Sequence, residues 1–203
     1  MAKAKEAVSA GELTQQYEAR YELRIQGVSG LVMNKPNLIG GREDKGRDPA
    51  KWEQEHFMEK CYRNTLHEFM IPGRAIKKCL MDACKFIPEK PRGVSFKSFL
   101  PFIQSATIIT DDAVLDVSEA QVMPLTLIVN LDPSKGNRGP RGPRTRPMIP
   151  VPWQASTRII VFDPIITPGM LARIADTAGK QCGFLDGRSI DFGRALITVH
   201  AIE

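Results

Sequence analysis

The sequence has only four cysteines, and their spacing fits no metal site. Cys61, Cys79, Cys84 and Cys182 form no Cys-x-x-Cys pair, and no histidine lies near them at zinc-finger spacing. Structural zinc sites draw on paired ligands about two to four residues apart. The sequence therefore predicts no metal site and no cofactor. Cys79 and Cys84 lie in an apolar helical stretch, where buried free thiols are common.

Motifs of the common enzyme classes are also absent. There is no Gly-x-Ser-x-Gly elbow, no Walker loop and no His-Glu-x-x-His pair, because Glu55-His56 has no second histidine four residues later. We therefore predict a protein without enzymatic activity.

Long apolar runs are missing too. No run approaches the ~20 residues that a membrane-spanning helix needs. The N-terminal residues 1–6 are charged and lack the apolar core of a secretory signal. We expect a cytoplasmic protein with no membrane partner.

Positive charge is concentrated in one segment. The chain carries 28 Lys and Arg against 23 Asp and Glu, a formal net charge of +5. The segment Ser134–Pro147 alone holds five cations and no carboxylate. These are Lys135, Arg138, Arg141, Arg144 and Arg146. Glycine and proline interrupt the segment, so the sequence predicts a flexible loop that needs a polyanion or a carboxylate-rich partner to order it. The plainer alternative is a disordered, solubilising loop.

Further cations and one aromatic residue complete the predicted nucleic-acid site. They are Arg74, Lys77 and Lys78 on a helix, Arg188 and Arg194 in a glycine-rich turn, and Trp153 beside a strand. Arginine and lysine would contact phosphates, and tryptophan would stack on a base. Each has an alternative: a solvated helix face for the helix cations, an ion pair of Arg188 with Asp186 or Asp191, and a place in the core for Trp153.

The hydrophobic pattern predicts an α+β fold. Tyr21, Leu23 and Ile25 alternate with polar residues, as in a half-buried strand. The six core elements are a strand at 21–33, a helix at 74–86, strands at 125–130 and 153–163, a helix at 170–180 and a strand at 196–202. Thr167 would cap the second helix, with Pro168 in its first turn. This order predicts a ferredoxin-like (RRM-type) βαββαβ core with an antiparallel sheet.

The same pattern divides the chain. We expect an N-terminal arm at residues 1–20 and a single RRM-like domain at residues 21–203. Insertions would occupy residues 34–70, 88–121 and 132–152, the middle one being a β-rich excursion.

The end of the chain resembles known proteins. Ile71-Pro72-Gly73-Arg74 opens a helix with Ala83 further along, Arg146-Pro147 precedes Trp153, and the turn Gly183–Arg194 precedes the last strand. This arrangement is similar to small phage and prophage proteins. It also resembles the repeat-associated (RAMP) superfamily, the RNA-recognition-fold proteins that form the backbone of CRISPR effector complexes.

That resemblance implies a function. In the RAMP superfamily a glycine-rich turn near the C-terminus lies against nucleic acid, and protomers stack along a single strand. Some RAMP subunits cleave RNA from an aspartate in an early loop, which would here be Asp44 or Asp48.

The sequence therefore predicts a phage-encoded protein of the host cytoplasm that coats single-stranded DNA or RNA as a helical oligomer. Two alternatives remain open. One is a metal-dependent, RNA-cleaving RAMP-like subunit. The other is a phage structural or inhibitor protein that binds an acidic protein partner.

Overall fold

The strands and helices below come from a computed structural model that describes residues 17–36, 49–131, 134 and 139–202. The strands are β1 (Ala19–Gly27), β2 (Leu31–Val32), β3 (Met70–Ile71), β4 (Thr107–Ile109), β5 (Ala113–Leu115), β6 (Met123–Asn130), β7 (Arg141–Ile149), β8 (Gln154–Val161) and β9 (Ala195–Ile202). The α-helices are α1 (Pro49–Glu55), α2 (Gly73–Ala83), α3 (Leu100–Ser105) and α4 (Pro168–Thr177).

The main sheet has six described strands, with β8 in the middle. Its strand order is β3-β5-β8-β1-β9, with β4 also paired to β8, and every pair is antiparallel. At one end of β1 the residue Arg20 lies opposite Ile202, and at the other end Gly27 lies opposite Ala195. The α+β class and the antiparallel sheet are thus as predicted.

Alternation explains the two faces of β1, which lies between β8 and β9. Tyr21, Leu23 and Ile25 are buried, as predicted, whereas Glu22 and Arg24 lie on the other face. The strand begins at Ala19, two residues earlier than predicted, so residues 19 and 20 belong to the sheet and not to an arm. One face of β1 therefore belongs to the core and the other is polar.

Two helices cover the apolar face. The helix predicted at residues 74–86 forms as α2, and its residues Ile76, Cys79, Leu80 and Ala83, which recur at helical spacing, are buried. On α4 the Thr167 side chain accepts a hydrogen bond from the backbone N–H of Met170 at 3.2 Å, so the predicted N-cap is confirmed. Among the described residues, no helix is long and apolar enough to cross a membrane.

The strand predicted at residues 125–130 forms, but it is not in the main sheet. Strand β6 pairs with β7, which pairs with β2, in a separate three-stranded antiparallel sheet. The place beside β8 is taken by the short strands β4 and β5. Ile128 is 68% exposed, so the apolar run here does not reflect a core position.

The prediction of a loop throughout residues 134–147 is wrong, because residues 141–149 form strand β7. Leu131 donates its N–H to Pro140 O at 2.8 Å, which sets the alternation of hydrogen bonds along the hairpin. Pro143 and Pro147 consequently fall where the backbone nitrogen points away from β6. A strand tolerates proline at such positions since no hydrogen bond between β6 and β7 is lost.

Candidate nucleic-acid interface

A buried ion pair fixes α1 against the outer edge of β7. Glu53 and Lys60 are each 8% exposed, and Lys60 Nζ lies 2.6 Å from Glu53 Oε1. Glu53 Oε2 accepts the backbone N–H of Thr145 at 3.1 Å, and Lys60 donates to Thr145 O at 3.4 Å. The two side chains thereby take the place of a neighbouring strand.

The same carboxylate orients a predicted site residue. Arg144 Nη1 lies 3.1 Å from Glu53 Oε1, and the arginine side chain is 32% exposed. Arg144 is therefore held along the hairpin by an internal partner. Arg141, three residues earlier, is exposed at the start of β7.

Arg146 joins the cationic strand to the glycine-rich turn. Its guanidinium forms an ion pair with Asp186, and its side chain is mostly buried. Strand β2 lies between the two segments, since Leu31 pairs with Ile149 of β7 while Val32 O accepts the N–H of Asp186 at 3.1 Å. The two basic segments predicted from the sequence therefore lie next to each other.

The turn needs glycine at several positions. Gly183, Gly187 and Gly193 have φ angles of 72, 70 and 72 degrees, which L side chains rarely adopt. Gly193 donates its N–H to Gly30 O at 2.8 Å, and Arg194 donates its N–H to Ser29 Oγ at 2.9 Å. The turn is thus fastened to the connection between β1 and β2.

Asp82 on α2 gathers three cations. Its carboxylate lies 2.9 Å from Lys85 Nζ, 3.1 Å from Lys78 Nζ and 3.4 Å from Arg188 Nη1. Burial alone would raise the pKa of Asp82, but hydrogen bonds from Lys85 and Lys78 outweigh it and hold the pKa below its ordinary value. The pKa of Lys85 is raised in return by its hydrogen bond with Asp82.

Arg194 lies next to the ion pairs around Asp82, because it contacts Arg188. It donates to the backbone oxygen of Arg188 at 3.1 Å and lies 3.6 Å from Asp191, while its Nη1 is buried without a hydrogen-bond partner among the described residues. We call Lys78, Lys85, Arg146, Arg188 and Arg194 the basic cluster. Its five cations face the three carboxylates of Asp82, Asp186 and Asp191, which leaves a net charge of +2.

Other predicted residues lie elsewhere. Arg74 is exposed at the start of α2, and Lys77 turns to donate to the backbone oxygen of Thr107, with its pKa lowered by burial. Trp153 is 1% exposed and donates from Nε1 to Ser29 O at 2.8 Å, so its ring is not available to stack on a base. Lys135, Arg138, Asp44 and Asp48 lie outside the described residues.

The ion-pair partners that hold these cations in place were not identified from the sequence. Lys78 and Lys85 lie four residues before and three residues after Asp82 on the helical stretch, so helical spacing could have indicated their pairing. The ion pair between Arg188 and Asp82 joins residues 106 apart in sequence, and no local pattern shows it. Glu53 and Lys60 also carry no signal, because charged residues are rarely buried.

The basic cluster has a net positive charge, which favours anions as ligands. Within the described residues, no group of three or more His, Cys, Asp or Glu is placed to hold a metal ion. Cys61 and Cys84 are buried, and burial raises the pKa of their thiols to about 11 and about 12, so neither is a thiolate at neutral pH.

No protein-family model matches the sequence, and no curated protein matches it either. Solved structures do match. A chain in the cryo-EM structure of the type III-B Cmr-beta bound to cognate target RNA superposes with a TM-score of 0.52 at 11% identity, over 92% of this chain and 61% of that one. The crystal structure of Cmr6 from Pyrococcus furiosus gives a TM-score of 0.50 at 12% identity, over 91% of this chain and 99% of that one.

Both neighbours are RAMP-type CRISPR subunits. The fold resemblance predicted from the sequence is confirmed. The chain spans about three fifths of the Cmr-beta chain that it matches, whereas it covers almost the whole of Cmr6.

The charges around Asp82 predict a pH-dependent stability. Because the folded-state pKa of Asp82 lies below its ordinary value of 3.8, its carboxylate stabilises the fold at neutral pH and loses that effect as the pH falls through this region. Asp82→Asn should cost about 1 kcal/mol at pH 7. Urea denaturation between pH 7 and pH 3 should show the difference from wild type shrinking below about pH 4.

Asp176→Asn is the matched control, since Asp176 forms a single exposed pair with Lys180 at 2.7 Å. It should cost about 0.3–0.5 kcal/mol at most. An Asp82 variant with no larger effect than this control would show that the three cations do not stabilise the fold through Asp82.

Proposed function

We propose that the protein binds single-stranded nucleic acid without cleaving it, along strand β7 and the basic cluster. The observation that carries the proposal is the ion pair between Arg146 and Asp186. It joins two basic segments that are about 40 residues apart in sequence into one surface. A continuous cationic surface is the electrostatic footprint of a phosphate-binding protein.

The cations of this surface remain accessible despite their partners. Lys78 and Lys85 have side chains that are 58% and 62% exposed, and both share the single carboxylate of Asp82 with Arg188. Exposed pairs of this kind are weak, so phosphates can compete for the same ammonium groups. Arg141 adds an exposed guanidinium at the start of β7.

The fold also supports the proposal of nucleic-acid binding. The order β1, α2, β4 and β5, β8, α4, β9 favours a βαββαβ chain path, and we propose that residues 19–203 form one ferredoxin-like domain with insertions. One neighbour of this fold is bound to RNA, so RNA is the first strand to test, with DNA beside it.

Self-association is part of the proposal. Strand β6 is an edge strand without a charged side chain, and Met123 and Ile128 are exposed on it. The outward backbone groups of Thr126 and Ile128 have no partner among the described residues. Uncharged edges of this kind favour pairing with another chain, which would place copies side by side on one strand. We further propose a phage origin and a site of action in the host cytoplasm, on the resemblance noted above.

A triple variant tests the surface. Replacing Lys78, Lys85 and Arg141 with Ala should weaken binding to all sequences alike and reduce the steepness of the salt dependence by about 2, at roughly 0.7 per phosphate contact. Fluorescence anisotropy with labelled 20-nucleotide RNA and DNA, from about 50 to 300 mM salt, measures both quantities. Arg144 and Arg146 stay in place because each holds an internal carboxylate.

The control removes equal charge from another face. Arg20, Arg24 and Arg158 are exposed on the polar face of the main sheet, and their replacement with Ala should leave the salt dependence unchanged. If both triple variants reduce binding equally, the interaction is nonspecific and the proposed surface is wrong. Flat wild-type anisotropy at low salt would end the nucleic-acid proposal, and RNA cleavage in Mg²⁺ would end the non-enzymatic one.

A further inference from the structure

One aromatic pair on α1 is stacked but is not part of the core. The rings of Trp52 and His56 lie 4.7 Å apart at an interplanar angle of 23 degrees. Both side chains are half-buried, and within the part of the chain that the structure describes Phe57 and Met58 pack against the buried hydrophobic cluster whereas Trp52 does not. We call this pair the Trp52–His56 platform.

Contacts within α1 and the residues after it hold the His56 ring of the platform. His56 Nδ1 lies 3.2 Å from the Glu59 carboxylate, which fixes the imidazole ring, and the backbone N–H of His56 donates to Trp52 O at 2.9 Å. An aromatic ring that is already ordered loses little entropy when it contacts a partner. The indole is therefore preorganised for a flat ligand.

The platform is also held close to the cationic hairpin. Trp52 precedes Glu53, whose carboxylate contacts both Arg144 and the backbone of Thr145. Arg146 lies two residues after Arg144 and on the same face of β7, which is about 7 Å away at ~3.4 Å per residue. Helix α1, which carries the indole, is thus held against the strand that carries these two guanidinium groups.

These observations favour one kind of ligand. A hydrophobic peptide would need a groove of apolar side chains, whereas Trp52 is flanked by Lys51 and Glu53 and stacks on a polar ring. Flat π-faces next to phosphate-binding cations are the two features that single-stranded nucleic acid requires. Trp153, which the sequence suggested for stacking, is buried and cannot serve.

We propose that the Trp52–His56 platform stacks an unpaired nucleobase of the strand whose phosphates contact β7. This inference rests on the proposed function and adds to it the position of base contact. The strand would lay its phosphates along the arginines and turn a base onto the exposed part of the indole.

The protein carries its own reporter for this contact. Trp52 and Trp153 are the two tryptophans of the chain, and the second is buried. A stacked base should quench Trp52 fluorescence in the wild-type protein. An abasic strand with the same number of phosphates should bind through charge but leave the fluorescence unchanged.

Substitution provides the second readout. Trp52→Ala should weaken binding to a labelled oligonucleotide about 5- to 150-fold, the range that one lost stacking contact gives. The salt dependence should stay the same, because no phosphate contact is removed. Trp52→Phe keeps an aromatic face and should retain most of the affinity while losing the quenching signal.

The outcomes separate the two ideas. Wild-type affinity in the Trp52→Ala variant, or equal quenching by the intact and abasic strands, would overturn the platform while the proposed function stands. Failure of the wild type to bind any strand at low salt would overturn both. Loss of affinity together with a flatter salt dependence would show that Trp52 acts by positioning cations, and would also overturn base stacking.

Discussion

Replacing Glu53 with Ala is expected to destabilise the protein by about 3–5 kcal/mol. The substitution leaves the buried ammonium of Lys60 without its carboxylate partner at 2.6 Å and leaves the backbone N–H of Thr145 without an acceptor. An uncompensated buried charge is among the most costly defects a core can carry. Urea or thermal denaturation monitored by circular dichroism measures the loss.

Two variants sharpen this experiment. Glu55→Ala changes an exposed glutamate of the same helix and should alter stability by less than about 0.5 kcal/mol. The double variant Glu53→Ala with Lys60→Met removes both charges and should recover part of the loss, since an apolar replacement of a buried pair is often tolerated. If Glu53→Ala is as mild as Glu55→Ala, the pair does not anchor α1 to β7.

Gly193→Ala is the second substitution with a large expected effect, about 2–4 kcal/mol. Gly193 has a φ of 72 degrees, and a Cβ atom there would lie 2.2 Å from Phe184 O. Because the obstacle is backbone, relief requires the turn to move, and this would break the hydrogen bond from Gly193 to Gly30. Oligonucleotide affinity should fall as well, since Arg194 follows directly.

Gly169→Ala is the matched control for this change. Gly169 lies in the first turn of α4, and a Cβ atom there would meet nothing within 4 Å. Alanine should be neutral or stabilise by up to ~1 kcal/mol, because it favours the helix. Equal tolerance of both substitutions would contradict the backbone conformation described for the turn.

Much of the fold could be predicted from the sequence because its signals are local. The alternation in β1, the buried stripe on α2 and the Thr167 cap of α4 each depend on residues a few positions apart, and the structure confirms them. Side-chain periodicity follows from the backbone geometry of helices and strands. Where local pattern and tertiary packing agree, the sequence is sufficient.

Strand β7 shows why the rest could not be predicted. Its residues Gly142, Pro143 and Pro147 have low strand propensity, so local chemistry favours a loop. The strand forms because β6 pairs with it from Arg141 to Met148 and because Glu53, 92 residues away from Thr145, satisfies its outer edge. Contacts at that separation leave no trace in a short window.

The same limit affected the binding residues. Trp52 lies within α1 and Trp153 directly precedes β8, and only the packed structure shows how far each is buried. Trp153 is buried because Gly27 has no side chain, and a Cβ atom there would lie 2.1 Å from the indole ring. The core position of Trp153 thus depends on a glycine 126 positions earlier, whereas Trp52 stays half-buried on α1.

The register of β1 with β9 determines how the protein should be immobilised for binding measurements. Arg20 and Ile202 are neighbours at one end of β1, while Gly27 and the glycine-rich turn lie at the other end, about 24 Å away at ~3.4 Å per residue. A biotin attached next to Ile202, at the C-terminal end of β9, would therefore lie at the end of the sheet opposite to the glycine-rich turn. Immobilised in this way on a biosensor chip, the protein would present the glycine-rich turn, with Arg188 and Arg194, to the flowing solution.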